Sequence, residues 1–266
     1  MSQFFYSPID WSRVWYASIH AAAQNIIDAP DWRTALNAQA VAQALRNRRG
    51  LQLAFVPQEN LPEGTAYEAF IGATACVPTR ENLHDFFNAL VWLSFPRIKH
   101  GLNALQAAQI ALAGIGKSRG PARDAATIFD ENAALLVVRD APSGRALVDA
   151  LRGHRWTDAF IGQRARFGSE AEVWLFGHAL MEKLVSPYKA ITAHTWVVPA
   201  PQDFFALDPV SRRNWIDAAV AQKLQSHALS TADFTPLPVL GVPGWWPGQD
   251  AAFYADASVF RPQRQR

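Results

Sequence analysis

An α+β fold, mostly helical and carrying a small, largely antiparallel sheet, is predicted for this chain by three observations. Apolar residues recur at helical spacing in several long segments, short apolar runs with β-branched residues stand between them, and no internal repeat or flexible linker divides the 266 residues. The span 1–266 therefore reads as a single domain. Half of the residues are apolar and 18% are charged, which gives a chain of this length enough apolar mass for a substantial core.

The elements follow in order. A helix is predicted over 31–48, "DWRTALNAQAVAQALRNR", where Trp32, Leu36, Ala40, Val41 and Leu45 fall near helical spacing and Gly50 supplies a stop. "LQLAFV" at 51–56 and "AYEAFIGA" at 66–73 read as strands joined by a loop with Pro57, Pro62 and Gly64. Thr79 reads as an N-cap with Glu81 in the first turn, opening a helix that runs to Ser94 and is broken by Pro96. A further helix at 102–112 ends in the glycine-rich turn "GIGKSRGP", which does not match a phosphate loop. "AATIFDENAALLVV" reads as a hairpin, two apolar runs flanking the turn former "DEN". Helices at 143–152 and 172–186, a strand at 190–198 and a helix opened by Pro209 and running to Ser226 complete the regular part. The proline-rich end, with Trp245, Trp246, Phe253, Tyr254 and Phe260, is expected to cross the body as an aromatic C-terminal strap.

Composition narrows the function classes. With 25 basic and 23 acidic residues, the chain lacks the concentrated basic face that a nucleic-acid binder needs. Its single cysteine excludes an intrachain disulfide and a cysteine-based zinc cage. No apolar run is long enough to span a bilayer, and "MSQFFYSPIDW" is not a leader peptide, so a soluble, cytoplasmic protein without membrane or nucleic-acid partners is expected.

Chemistry is expected at one place above all, the segment "PTRENLHDFFN". At helical spacing Glu81, His84, Asp85 and Asn88 share one side, while Leu83, Phe86, Phe87, Leu90 and Val91 occupy the other. A solvated face tends to use Lys, Glu, Gln and Arg, whereas this one uses His, Asp and Asn, poorer helix formers that serve as ligands and proton carriers. In "FGHALMEKL" His178 and Glu182 stand four apart, a surface ion pair or a histidine oriented by a carboxylate. His194 lies in the strand "ITAHTW". Together His84, His178 and His194 with Asp85 and Glu182 are the parts of an acid–base site or of a His/carboxylate centre for a divalent metal ion, in which His84, His178, His194 and Glu182 are the candidate ligands. Arg80 would steady an anionic substrate. The adjacent His84 and Asp85 also resemble the metal-dependent HD phosphohydrolases, with His20 and Asp124 available as further ligands, but the predicted strands fit that all-helical fold poorly.

The phrases "PTRENLHDFFNALVWLSFPRIK", "LNALQ", "RGPARDAATIFDENAALL", "FGHALMEKL", "PYKAITAH" and "LGVPGWWP" resemble the bacterial family catalogued as domain of unknown function 3025, over about 67–262. That resemblance implies no assigned reaction. Similar members read "DENG" where Ala133 stands here, and a left-handed backbone at that position would cost an alanine about 1 kcal/mol. Two function classes stay open. One is a hydrolase of a small or anionic substrate, and the other is a non-catalytic ligand-binding or regulatory protein whose polar cluster is a structural network.

Overall fold

In the computed structural model, which describes residues 4–113 and 120–263, a short 3-10 turn at Val14–Tyr16 precedes helices α1 (His20–Ile27) and α2 (Trp32–Ala42). Asp31 caps α2, its carboxylate accepting from the Thr34 amide at 2.6 Å. This helix stops short of the predicted 31–48. Ala44 turns into left-handed backbone at φ 50°, and the Leu45 amide donates back to the Ala40 carbonyl, closing the last turn.

Strands β1 (Ala54–Val56) and β2 (Cys76–Pro78) pair in parallel, with helix α3 (Tyr67–Thr74) between them. The strand predicted at 66–73 is therefore a helix. Parallel neighbours cannot be joined by a tight hairpin, and the crossover takes up the intervening residues. Gly72 is the point of close approach to the next long helix, since a Cβ there would lie 3.2 Å from that of Ala107.

Helix α4 (Leu83–Ser94) is capped by Asn82, which accepts from the Asp85 amide at 2.8 Å, and not by Thr79. The Thr79 hydroxyl donates instead to the Val77 carbonyl, so Glu81 precedes the helix and does not share its face. Pro96 then opens helix α5 (Pro96–Ala113) six residues before the predicted start, proline being well suited to a first helical position. The Asp217 carboxylate accepts from the amides of Arg97 and Ile98 at 3.1 and 2.9 Å, and these donors have no partner within α5. The predicted glycine-rich turn falls largely on 114–119, outside the described residues.

Helix α6 (Pro121–Asn132) runs directly into strand β3 (Ala133–Arg139), so the predicted hairpin does not form. Pro121 starts the helix, and Ala125, Ala126, Phe129 and Asp130 form its buried face, which places the turn-forming "DEN" at a helix end. Ala133 itself is extended, with φ −79°, and carries no left-handed strain. Helix α7 (Pro142–Arg152) forms close to its predicted span. The helix predicted at 172–186 splits into strand β4 (Ala171–Leu175) and helix α8 (His178–Lys183). The break lies beside Gly177, where a Cβ would sit 2.5 Å from the Ala133 amide nitrogen and 2.6 Å from both the Asn132 nitrogen and the Glu131 carbonyl. Because backbone cannot yield as a flexible side chain does, Gly177→Ala is expected to cost about 1–3 kcal/mol in a urea melt. An unchanged midpoint would refute this account of the α6–β3 junction.

Strand β5 (Thr192–Ala200), helix α9 (Pro209–Ser226), strand β6 (Thr235–Pro238) and helix α10 (Ala251–Tyr254) follow, with α9 as predicted. The sheet order is β4-β3-β5-β6, with β3/β4 and β5/β6 antiparallel and β3/β5 parallel. Apart from Arg139, all of β3 is buried, as befits an inner strand covered on both faces. From the amino-terminal segment, Tyr6 stacks on Phe86 at 4.8 Å and Tyr16 on Phe87 at 5.5 Å, and the Tyr16 hydroxyl donates to the Met181 carbonyl. Near the other end Tyr254 and Phe260 are buried against Phe160. Among the described residues no helix is long and apolar enough to cross a membrane.

Candidate functional site

Helix α4 buries ten of its twelve residues, Asp85 and Asn88 included, so its polar side faces other helices more than water. From that side His84 meets α8. Its Nε2 lies 3.1 Å from Nε2 of His178, and its Nδ1 lies 2.9 Å from the Glu182 carboxylate. The rings stand at 80° with centroids 4.5 Å apart. Rings aligned along the N···N line would add a full ring radius at each end, so the contact is bent. His84 and Glu182 are 36% and 39% exposed in their side chains, whereas His178 is 6%. The pair therefore leads from the surface inward.

Behind His178 the polar chain continues. Its Nδ1 has no hydrogen-bond partner and faces Asp130 on α6, whose Oδ2 is 3.8 Å away. Asp130 accepts from the Lys99 ammonium at 2.6 Å, and the same ammonium donates to Asn88 Oδ1 at 2.8 Å and lies 5.2 Å over the Trp92 ring. Lys99 is thus engaged on three sides, which an ammonium buried to 4% exposure requires. Asn88 in turn donates to the Tyr67 hydroxyl at 3.1 Å.

Burial is the main influence on the protonation of these groups. It lowers the His178 pKa to about 4, with Lys99 and His84 adding to the effect and Asp130 opposing it. His178 is therefore neutral at pH 7. For Asp130 burial acts upward, but the Lys99 ammonium, through its charge and its hydrogen bond, outweighs it and leaves the carboxyl below its usual range. Burial also raises the Tyr67 phenol well above its ordinary value, so it stays protonated. Glu68, which accepts from Asn103 at 2.6 Å, is raised by burial as well, with Lys99 opposing.

Of the residues expected to act, His84, His178 and Glu182 meet directly. Asp85 turns away and binds Arg80, accepting from its Nε at 2.9 Å, its Nη2 at 3.1 Å and its amide at 2.7 Å. His84 and Asp85 consequently serve different partners, which removes the likeness to the HD phosphohydrolases. His194 is exposed on β5, in register between Ala133 and Pro236 and against Phe234, and no contact joins it to the other two histidines. Strand alternation puts it on the same face as Trp196, which packs on Phe129 of α6, but His194 stops short of the His84–His178 pair and the three histidines are not brought together. Among the described residues no group of three His, Cys, Asp or Glu side chains is arranged to hold a metal ion. Lys99, Asp130 and Tyr67 belong to the site without having been predicted for it.

No curated protein and no solved structure matches the chain. Residues 53–264 match the family described as "Protein of unknown function (DUF3025)", and that span includes every residue of the polar chain just traced. The chain belongs to this family.

Proposed function

We propose that the protein is a hydrolase of a small anionic substrate, with the His84–His178 pair as its acid–base centre. The observation that carries this reading is the 3.1 Å contact between two Nε2 atoms, one imidazole half-exposed and oriented by Glu182, the other buried and neutral. With each ring neutral and protonated on Nδ1, the two Nε2 lone pairs converge and have room for one proton between them. His84 takes that proton from an attacking water, and the imidazolium so formed donates to Glu182 through Nδ1 and to His178 through Nε2. The same Nε2 proton then passes to the leaving group, which returns both rings to their neutral state. Glu182 fixes the ring and stabilises the cation. Arg80, whose Nε and Nη2 are taken by Asp85, keeps Nη1 on a side chain 58% exposed at the head of α4, available to an anionic group of the substrate.

A panel of p-nitrophenyl phosphate, bis-p-nitrophenyl phosphate and p-nitrophenyl acetate tests this reading. Turnover by wild type should fall about 10²–10⁴-fold in His84→Ala and less in Glu182→Gln, with melting temperatures close to wild type. Absence of turnover, together with a loss of about 1–3 kcal/mol in His84→Ala, would favour a purely structural network. The saturation of Lys99 by Asp130, Asn88 and Trp92 favours that second reading for the inner half of the chain.

A further inference from the structure

Strand β4 is the outer strand of the sheet, next to β3 alone. The Arg139 amide donates to Glu170 and the Phe176 amide to Ala133, which fixes the ladder: residues 170, 172, 174 and 176 face β3, and 171, 173 and 175 face outward. The Ala171 carbonyl is taken by the Gly168 amide. Among the described residues, the outward amides and carbonyls of Val173 and Leu175 have no partner. All five residues of β4 line an open cavity of about 390 Å³, whose other walls include Val14, Trp15, Ser18, Arg164 and Trp245. Within those walls Trp15 Nε1 and Ser18 Oγ are buried polar atoms without a hydrogen-bond partner. Edge strands are usually blunted by lysine, proline or a covering element, yet β4 reads Ala-Glu-Val-Trp-Leu.

We propose that this groove binds an extended peptide segment of a partner protein, which adds a strand beside β4. Unpaired donors and acceptors two residues apart match the repeat of an extended backbone, which neither a compact metabolite nor a helix reproduces. The aromatic walls, Trp15, Trp174 and Trp245, suit apolar side chains at alternate positions of the guest. Charge selects further. Glu172 is already paired with Arg212 and with the Trp174 indole, whereas Arg164 uses one nitrogen, Nη2, on Gln249 and Tyr254 and keeps the rest of its guanidinium. The guest therefore carries a carboxylate near Arg164, from an acidic side chain or a chain end.

The test is selection of random dodecapeptides displayed on phage against the immobilised full chain, with binding of the enriched sequences read by tryptophan fluorescence. Expected are sequences with alternating apolar residues and a carboxylate, tested with free and amidated ends to tell its two sources apart. Val173→Pro removes the outward amide, and Val14→Asp places a charge at an exposed wall, so each should weaken binding about tenfold or more. Val14 is half-exposed, so its variant keeps the fold even if Val173→Pro does not. No enrichment, or equal binding by wild type and Val14→Asp, would overturn the proposal. So would a concentration-dependent dimer abolished by the same variants, which would assign the edge to a second copy of this chain.

Discussion

Replacing Lys99 by methionine is expected to destabilise the protein by about 3–5 kcal/mol, the cost of stranding one member of a buried ion pair. The side chain is 4% exposed and, among the described residues, is the one cation bonded to Asp130, whose carboxylate would be left in the interior beside the neutral His178. Asn88 would lose its acceptor contact as well. A urea melt measures the loss. The informative companion is Lys99→Met with Asp130→Asn, which removes both charges and should recover part of the stability. Equal losses in the single and double variants would show that packing against Trp92, and not the ion pair, is what Lys99 supplies.

Acid should destabilise the protein through His178. The ordinary histidine value of about 6.5 applies to the unfolded chain, and the folded value is lowered to about 4. Between these values the unfolded chain takes up a proton that the native state refuses. The stabilisation is therefore complete above about pH 6.5, declines as pH falls and is spent near pH 4, a total of about 3 kcal/mol. Asp217 acts in the opposite sense, because burial raises its pKa to about 6 and the native state gains a proton over part of the same range. The difference between wild type and His178→Gln across pH 4–7 isolates the histidine, since Asp217 is common to both. Parallel curves would refute a buried neutral imidazole.

The outer half of the site was legible because it depends on spacing within single helices. His84, Asp85 and Asn88 announce a polar side on α4, and His178 and Glu182 announce another on α8. The inner half was hidden by two local signals that tertiary structure reversed. Pro96 was read as the end of a helix and not the start of the next, which left Lys99 in a loop, although a lysine among Ile98, Leu102 and Phe95 was a visible anomaly. "DEN" carries strong turn chemistry, and only the Pro121 start with Ala125, Ala126 and Phe129 at helical spacing marks Asp130 as an inward-facing helix residue. The β4–α8 segment failed for a related reason. Leu, Ala, Met and Glu dominate its second half, and Gly177 alone signals the break. His194 was correctly placed on a strand, but a strand position fixes a face and not a neighbour.

The stacking of Tyr6 on Phe86 and of Tyr16 on Phe87 has a bearing on where the protein's borders lie. The family match begins at residue 53, yet these rings cover the apolar side of the helix that carries His84, and Tyr16 also ties down the helix that carries His178. A unit of ancestry and a unit of autonomous folding are different things, and here their borders do not coincide. Excised at the match boundary, α4 would turn two large phenyl rings to water while its histidine lost the backing that holds it opposite its mate. The first fifty residues thus act as an intramolecular brace for the half that carries the histidine pair, and variation in such a brace is a route by which members of one family can tune rigidity without altering a single polar residue around that pair.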